Sequence, residues 1–142
     1  MSEQFLSDET ATVEFGRALA RRALREFDGN VVIYLAGDLG AGKTTLVRGV
    51  LRELGHPGAV KSPTYTLLEP YTLKTALVYH LDLYRIGHGE ELAFVGLDEL
   101  LEEPAIKLIE WPARAEGYLP PADISLELNV HGEGRTIREH AR

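Results

Sequence analysis

Apolar residues recur at two different spacings along this chain, and the spacing distinguishes a first helix from a first strand. One set repeats every four positions, as in an amphipathic helix over about residues 8–27: Phe15, Leu19, Ala23 and Phe27. The next set is the continuous run VVIYLA at residues 31–36, which is typical of a strand buried on both faces. We therefore expect a helix that leads into a central strand.

The later segments show the same two patterns, separated by glycine- and proline-rich stretches. We expect a helix at 44–54, an acidic helical stretch at 89–103 with a break at Gly96, and a long loop at 111–123. Strands are expected at 64–71, 75–82, 105–110, 124–130 and 135–139. This order predicts the α/β class, with a mixed, mostly parallel sheet flanked by helices and an antiparallel C-terminal hairpin.

A basic stripe lies on the first predicted helix, at Arg17, Arg21 and Arg25. Residues four apart share one face of a helix, so the three side chains are expected to lie side by side. A solvated, charged face is the simpler interpretation. A basic docking surface for another protein is the alternative.

Composition predicts one globular domain that spans residues 1–142. Hydrophobic residues make up 44% and charged residues 26% of the chain, and it contains no cysteine for a disulfide or a thiolate metal site. The N-terminal residues lack the basic and apolar regions of a signal peptide, and no apolar run reaches the length of a membrane span. We therefore expect a cytoplasmic protein with no membrane contact.

The net charge of −7 bears on the expected partners. The excess of acid is local, because residues 82–127 contain eleven Asp or Glu and only three Lys or Arg. Binding to a nucleic acid backbone depends on Lys and Arg that displace counterions. If nucleic acid takes part in the function, we expect it to do so through a partner protein.

The stretch GDLGAGKT at residues 37–44 matches the phosphate-binding pattern G-x-x-x-x-G-K-[ST] without a mismatch. Glycines such as Gly37 and Gly42 allow backbone angles that turn successive N–H groups toward phosphates. Lys43 is expected to reach the β and γ phosphates, and the Thr44 hydroxyl is expected to bind Mg²⁺. With a strand before it and a helix after it, this P-loop (Gly37–Thr44) predicts a nucleotide site.

A P-loop needs an acidic partner for the metal or its water, usually at the end of a neighbouring apolar strand. Asp82 closes the run LVYHLD and Glu110 closes the run IKLIE. Each could also be an ordinary carboxylate at a strand end, but two of them in one chain with a P-loop favour a role at the site. The sequence leaves open which of the two touches the metal.

Thr64 and the histidines are two further features of the sequence to be interpreted. Thr64, in the segment Ser-Pro-Thr that follows the P-loop helix, either senses the γ-phosphate as a switch residue does or only follows a proline that restrains a strand. The histidines show no metal-ligand spacing and are interpreted as structural or surface residues: His56, His80, His88, His131 and His140.

The motifs around the P-loop narrow the class of enzyme. A GTPase should carry Asn-Lys-x-Asp to read guanine and Asp-x-x-Gly as a switch, and neither is present. A small nucleotide or metabolite kinase is the stronger rival, since the DLYR segment that starts at Asp82 could clamp an acceptor. Such kinases need a lid that carries arginines, and the stretch where a lid would be expected is acidic.

Six sequence segments, taken in order, resemble the TsaE (YjeE) family of small ATPases in tRNA threonylcarbamoyladenosine synthesis. They are SDETATVEFG, GDLGAGKTTLVRG, SPTYTLLEPY, HLDLYRIGHGEELAFVGLDEL, LIEWP and a final GR. The resemblance spans about residues 7–138. DLYR and LIEWP beside a P-loop are far more specific than the loop alone.

The resemblance implies a set of residues around ATP and Mg²⁺. Those implied to cradle the phosphates are Gly40, Ala41, Gly42, Lys43, Thr44 and Thr45, with Gly37 opening the loop. Thr44 and Glu110 are implied to hold the metal, while Asp82 occupies the Walker B-like position and Thr64 the switch-like position.

Two outlying residues are implied to lie near the nucleotide: Thr10, in the N-terminal family segment, and Arg135, in the terminal Gly-Arg. Trp111 directly follows the implied metal carboxylate. Its ring either packs near the site or belongs to the core.

The resemblance also implies partners, TsaD and TsaB, which modify the adenosine 3′ of the tRNA anticodon, so that tRNA is contacted only through the complex. The chain would then be an ATPase, weak alone, that acts as a nucleotide switch on TsaD and TsaB. A self-sufficient kinase and a nucleotide sensor without turnover are the alternatives. Release of inorganic phosphate without an acceptor distinguishes the ATPase from the kinase.

Overall fold

The structure, a computed structural model, describes residues 2–60, 67–91 and 96–140. The strands within these ranges are β1 (Ser2–Leu6), β2 (Val31–Ala36), β3 (Leu68–Thr72), β4 (Leu77–Asp82), β5 (Ile106–Glu110), β6 (Ile124–His131) and β7 (Gly134–His140). The helices are α1 (Glu9–Phe27), α2 (Lys43–Glu53) and the single turn α3 (Leu97–Leu100), and a 3₁₀ turn covers Pro112–Ala115.

All of these strands join one sheet in the order β1-β7-β6-β2-β5-β4-β3. β2 pairs in parallel with β5 and β6, and β4 pairs in parallel with β5. The pairings β1–β7, β6–β7 and β3–β4 are antiparallel, so that only β3 and β7 run against the other five described strands. The predicted mixed, mostly parallel α/β sheet with its C-terminal hairpin is confirmed.

Local signals explain where α1 begins and ends. The Asp8 carboxylate accepts a hydrogen bond from the backbone N–H of Ala11 at 2.8 Å, which satisfies a donor in the first turn. At the other end Asp28 and Gly29 both adopt left-handed backbone angles, with φ of 53° and 75°, and stop the helix. These bounds agree with the helix predicted over about residues 8–27.

The edge strand β1 was missed from the sequence. It pairs antiparallel with β7, from Ser2 opposite Glu139 to Leu6 opposite Arg135. Only Leu6 is buried, and the four preceding residues are exposed, so no apolar alternation marks the strand. Backbone pairing, rather than side-chain burial, holds this strand to the sheet.

Each face of the sheet carries its own apolar core, as the alternation of side chains along β2 shows. Ile33 and Leu35 point to the face that α1 and α2 cover, where they pack with buried residues of both helices. Val32 packs on the opposite face, with Leu97 of α3 and with the chain that follows β4. The helices thus flank the sheet, and the two long ones lie on the same side.

Two glycines let α1 and α2 approach closely. A Cβ on Gly16 would lie 2.2 Å from the carbonyl oxygen of Leu46, and a Cβ on Gly49 would lie 2.1 Å from that of Val13. Both glycines are helical, so only the lack of a side chain, and not an unusual backbone angle, explains their use here. Because α2 begins at Lys43, this contact also positions the P-loop end of α2.

The arginine stripe forms ion pairs between helices. Arg17 and Arg21 of α1 lie 3.3 and 3.0 Å from the same oxygen of Glu53, at the end of α2, and Arg25 contacts its neighbour Glu26. The first two arginines are engaged within the molecule, which favours a charged helix face over a docking surface. Such partly exposed pairs contribute about 0–1 kcal/mol each.

The predicted acidic helix at 89–103 is short in the described part of the chain. Gly96 has a φ of 75° and precedes the single turn α3, so the break expected at this glycine is observed. Residues 92–95 lie outside the described ranges. No helix in residues 2–60, 67–91 or 96–140 combines the length and the apolar composition of a membrane span.

The glycine contact generates a test of stability. Gly49→Ala and Gly16→Ala should each lower the free energy of unfolding by about 1–3 kcal/mol or more, because the new methyl group meets a carbonyl oxygen. At an unpacked helical site the same change would instead stabilise by about 1 kcal/mol. Urea denaturation followed by circular dichroism measures the difference. Gly58→Ala is the control and should change stability by less than about 0.5 kcal/mol, because its Cβ meets nothing closer than 3.6 Å.

Candidate functional site

Three parallel strands end at one edge of the sheet, and their last residues delimit the site. Leu35 of β2 and Asp82 of β4 both pair with Glu110 of β5, so the three strands end within one residue of the same level. β2 then continues into the P-loop, and α2 starts at Lys43. Ligands of such sheets bind beyond the carboxyl ends of the strands. The register therefore brings both predicted carboxylates beside the P-loop.

The P-loop glycines adopt backbone angles that other residues rarely adopt. Gly37, Gly40 and Gly42 have φ of 143°, 82° and 107°. A Cβ on Gly37 would also lie 2.4 Å from the carbonyl oxygen of Leu128, and one on Gly42 would lie 2.6 Å from Nε of Arg135. Both the loop's turn and its packing thus require glycine at the first and last of these positions.

The N-terminus of α2 is available to a ligand. Gly42 is its N-cap residue and has no side chain that could accept a hydrogen bond from the first-turn N–H groups. These N–H groups and the positive end of the helix dipole favour an anion at this position. The helix end is therefore suited to phosphate.

A cavity of about 230 Å³ lies against this helix end. Its lining contains most of the predicted site residues, Gly40, Gly42, Lys43, Thr44, Thr45, Asp82, Glu110 and Arg135, together with Leu39, which was not predicted. Two carboxylates, one lysine, one arginine and two hydroxyls thus face one space. This is the combination of groups that binds a phosphate together with a divalent cation.

Lys43 is buried inside this site, with 4% of its surface exposed. Its Nζ donates a hydrogen bond to the carbonyl oxygen of Gly37 and lies 4.0 Å from the centre of the Trp111 ring. Burial lowers the pKa of the Lys43 ammonium below its ordinary value of 10.5, and the charges of Glu110 and Asp82 oppose that shift. The protein therefore holds a poorly hydrated cation where a phosphate oxygen would lie.

Each carboxylate has one oxygen fixed by a donor of the protein. Oδ1 of Asp82 accepts the backbone N–H of Tyr84 at 3.0 Å. Oε2 of Glu110 lies 2.5 Å from Nε2 of His80, and Glu110 is 4% exposed. In each case the other carboxylate oxygen has no hydrogen bond to a described residue. Both side chains line the cavity. The two acids are thus oriented before any ligand arrives.

His80, one of the five histidines interpreted as structural or surface residues, is a buried residue of the core. His80 lies in the middle of β4, is fully buried, and contacts Glu110 directly. The contact arises from the register, since His80 pairs with Leu108 and Glu110 is two residues further along β5 on the same face. One signal was present in the sequence, a histidine on the core-facing side of an apolar strand.

Trp111 lies both near the site and against the core, so the two interpretations of this residue are combined. Its backbone is left-handed, with a φ of 58°, directly after β5. The half-buried ring covers the ammonium of Lys43 on one side and lies 4.9 Å from the Tyr84 ring on another. Strained backbone of this kind is concentrated at functional sites.

The remaining predicted site residues are distributed unevenly. Arg135 lies across the P-loop and donates from Nη2 to the carbonyl oxygen of Gly40 at 3.3 Å. Ala41 is buried beneath the loop. Thr10 is exposed in the first turn of α1 and does not line the cavity. Thr64 lies outside the described residues.

The donors in the cavity fit magnesium better than a metal held by protein alone. The described residues contain no group of three or more His, Cys, Asp or Glu side chains that could hold a metal ion. The cavity instead offers the Thr44 hydroxyl with the carboxylates of Glu110 and Asp82, which are the hard oxygen donors that Mg²⁺ prefers. Mg²⁺ commonly uses one or two such ligands together with substrate phosphates and water.

Comparison with known proteins places the chain among relatives of one kind. A family described as "Threonylcarbamoyl adenosine biosynthesis protein TsaE" matches residues 6–138. A Haemophilus influenzae protein named "tRNA threonylcarbamoyladenosine biosynthesis protein TsaE" is 44% identical over 135 residues, which cover 94% of this chain and 85% of that protein. A protein of the same name from Nostoc is 37% identical over 140 residues, with 94% and 82% covered.

A solved structure shares the fold. The crystal structure of Bacillus subtilis YdiB superposes with a TM-score of 0.74 at 26% sequence identity. The match covers 96% of this chain and 82% of that one. The two chains thus share a fold over nearly the whole of this chain.

The buried lysine generates a prediction about stability. Lys43→Met should raise the free energy of unfolding near neutral pH by more than about 0.5 kcal/mol, because the lowered pKa means that folding disfavours the charged form. The unfolded chain keeps a pKa near 10.5, so the penalty is complete below the folded pKa and disappears as the pH rises toward 10.5. The gap between variant and wild type should therefore narrow in alkaline solution.

Urea denaturation of the ligand-free protein between pH 7 and pH 10 measures this gap. Lys74→Met makes the same substitution at an exposed turn and should change stability by no more than about 0.5 kcal/mol at any pH. If Lys43→Met proves less stable than the wild type at pH 7, the attraction of the two carboxylates outweighs the burial of the charge.

Proposed function

Because the chain belongs to the TsaE family, we propose that it is the ATP-hydrolysing component of bacterial tRNA threonylcarbamoyladenosine biosynthesis. The process for which its curated relatives are named, the modification of tRNA, is thus its role as well. In this proposal it works in the cytoplasm as a nucleotide switch on a complex of TsaD and TsaB. It contacts tRNA only through that complex, in keeping with its charge of −7.

One observation carries the proposal. Lys43, Thr44, Asp82, Glu110 and Arg135 line a single cavity at the N-terminus of α2. A phosphate seated there would lie against free helix N–H groups and within reach of a buried ammonium. The two carboxylates stand across the same space, where a metal or an attacking water would have to be held.

The residues of the chain divide the work of binding and hydrolysis. The α2 N–H groups and Lys43 bind the β and γ phosphates, and the lysine exchanges its contact with the Gly37 carbonyl for a phosphate oxygen. Because Lys43 is already desolvated, it gives up little hydration in this exchange and stabilises the charge that develops on the transferred phosphoryl group. Arg135, which crosses the P-loop, adds a second positive charge on the outer side.

The acidic side hosts the metal and the water. In the proposal Thr44 and Glu110 would hold Mg²⁺, which would supply positive charge to offset the negative charge of the phosphate oxygens. Asp82, which lines the cavity and whose Oδ1 accepts the backbone N–H of Tyr84, would use its other oxygen to orient the attacking water. We favour hydrolysis over transfer because the described residues that line the cavity include no second set of basic groups for an acceptor.

The switch arises from the difference between ATP and its products. A nucleotide changes a partner's conformation only if it binds the two states of the assembly unequally. The cavity lies at one edge of the sheet, and the exposed side chain of Leu39 is part of its lining. We propose that the partner complex binds over this edge and responds to the presence of the γ-phosphate.

Turnover by the purified protein tests the catalytic part of the proposal. The wild type should release inorganic phosphate slowly from ATP with Mg²⁺ and no acceptor, and Lys43→Ala should reduce release to background. Asp82→Asn and Glu110→Gln should each lower the rate by about 100-fold or to background, as expected for groups that orient water or metal. Glu116→Gln, an exposed carboxylate outside the cavity lining, is the control and should keep the wild-type rate.

Two other outcomes would replace the proposal. If phosphate appears only when an acceptor is added, the protein is a kinase. If ATP binds but the wild-type rate equals that of Lys43→Ala, it is a nucleotide sensor without turnover.

The partner complex tests the biological part. Addition of purified TsaD and TsaB should raise phosphate release by the wild type, because the interface favours one nucleotide state over the other. Lys43→Ala should stay at background in the presence of both partners. A wild-type rate that does not change with TsaD and TsaB would contradict the switch and leave only the ATPase.

A further inference from the structure

His80 is a buried polar side chain that the proposed mechanism does not use. It lies in the central part of β4, between β3 and β5, with none of its surface exposed. Its Nε2 lies 2.5 Å from Oε2 of Glu110, and its Nδ1 has no hydrogen-bond partner among the described residues. A ring with one strong contact and one unsatisfied nitrogen calls for an explanation other than packing.

An aliphatic side chain would fill this position more favourably if packing alone were required. Val78, two residues earlier on the same face of β4, is fully buried in the apolar core beneath α1 and α2. His80 instead buries two polar nitrogens, of which only Nε2 has a hydrogen-bond partner among the described residues. The desolvation of Nδ1 therefore costs free energy that no hydrogen bond offsets. The benefit must therefore lie in the contact with Glu110.

The environment of the ring assigns its tautomer. A ring with a proton on Nε2 donates to Oε2 of Glu110. A proton on Nδ1 would instead bury an N–H donor without an acceptor among the described residues, which is the costlier arrangement. His80 is therefore a fixed donor aimed at one oxygen of Glu110.

The hydrogen bond from His80, on the neighbouring strand β4, fixes the rotamer of Glu110. Glu110 is the last residue of β5, and the chain turns sharply after it, since Trp111 is left-handed. A carboxylate at such a chain end could rotate toward Lys43 or away from the cavity. With Oε2 held by His80, Oε1 is the oxygen left for a ligand in the cavity.

We propose that His80 is a positioning residue that holds the Glu110 carboxylate in the orientation needed to bind Mg²⁺ together with the nucleotide. The proposal rests on the proposed function, in which Glu110 is a metal ligand. His80 itself touches neither metal nor nucleotide. It acts through one hydrogen bond, and that bond alone should be needed for its effect.

The test compares nucleotide affinity with and without Mg²⁺, measured by calorimetry with a non-hydrolysable ATP analogue. The ratio of the two affinities reports metal coupling. In His80→Leu this ratio should fall by about 10–100-fold, because a carboxylate that loses its outer hydrogen bond binds metal less well. His80→Gln should retain most of the ratio, since its amide N–H can donate to Glu110 from a similar position.

Two controls separate positioning from a general loss of packing. Val78→Ala removes buried volume from the same face of the same strand and should lower stability without changing the ratio. In a Glu110→Gln background, His80→Leu should cause no further loss, because the two residues act through one contact. An equal fall of the ratio in Val78→Ala and His80→Leu would overturn the proposal.

The wild-type ratio separates failure of this proposal from failure of the proposed function. If Mg²⁺ does not tighten nucleotide binding in the wild type, or if Glu110→Gln keeps the full ratio, then Glu110 is not a metal ligand and both proposals fail. If Glu110→Gln loses the ratio and a folded His80→Leu keeps it, only the positioning role fails.

A measurement on the unaltered protein covers the case in which His80→Leu does not fold. Nitrogen-15 NMR of the histidine rings should identify one ring with its proton on Nε2, and its resonances should shift when Mg²⁺ is added to the nucleotide-bound protein. The exposed ring of His131 is the internal reference and should not shift. A His80 ring that carries no proton on Nε2, or that does not respond to Mg²⁺, would overturn the proposal.

Discussion

The parallel pairing of β2, β4 and β5 is the constraint on which the site depends. Its register aligns Leu35, Asp82 and Glu110 at one edge of the sheet. Strand pairing alone therefore brings the P-loop, which follows β2, close to the two carboxylates. Parallel strands require long connections, and here those connections form α2 and the second core. The close approach of α1 and α2 at Gly16 and Gly49 then fixes the helix whose N-terminus faces the edge.

The site combines polar and charged groups, each of which would be energetically unfavourable if it were buried alone. A desolvated ammonium, two carboxylates and an unsatisfied histidine nitrogen lie within one small region of the fold. The lysine and the acids compensate one another in part, and the helix N-terminus remains open to an anion. Such an arrangement gives up stability in the empty protein so that the groups are already oriented and dehydrated when a phosphate binds.

The sequence was sufficient for those parts of the site that depend on local pattern. The P-loop follows from residue spacing, and Asp82 and Glu110 follow from apolar runs that end in an acid, so all were predicted by number. β1 was missed because it is exposed and depends on pairing with β7, at the other end of the chain. The contact of His80 with Glu110 was missed for a related reason, since register between β4 and β5 cannot be obtained from either strand alone.

The cover that Trp111 forms over Lys43 has a practical consequence. The chain contains one tryptophan among six tyrosines, so its tryptophan emission comes from a single position. The centre of the Trp111 ring lies 4.0 Å from Nζ of Lys43. A bound nucleotide phosphate would attract this ammonium and change its distance from the ring. Emission from an indole depends on the charges near its ring, and the unlabelled protein therefore carries its own optical reporter of P-loop occupancy.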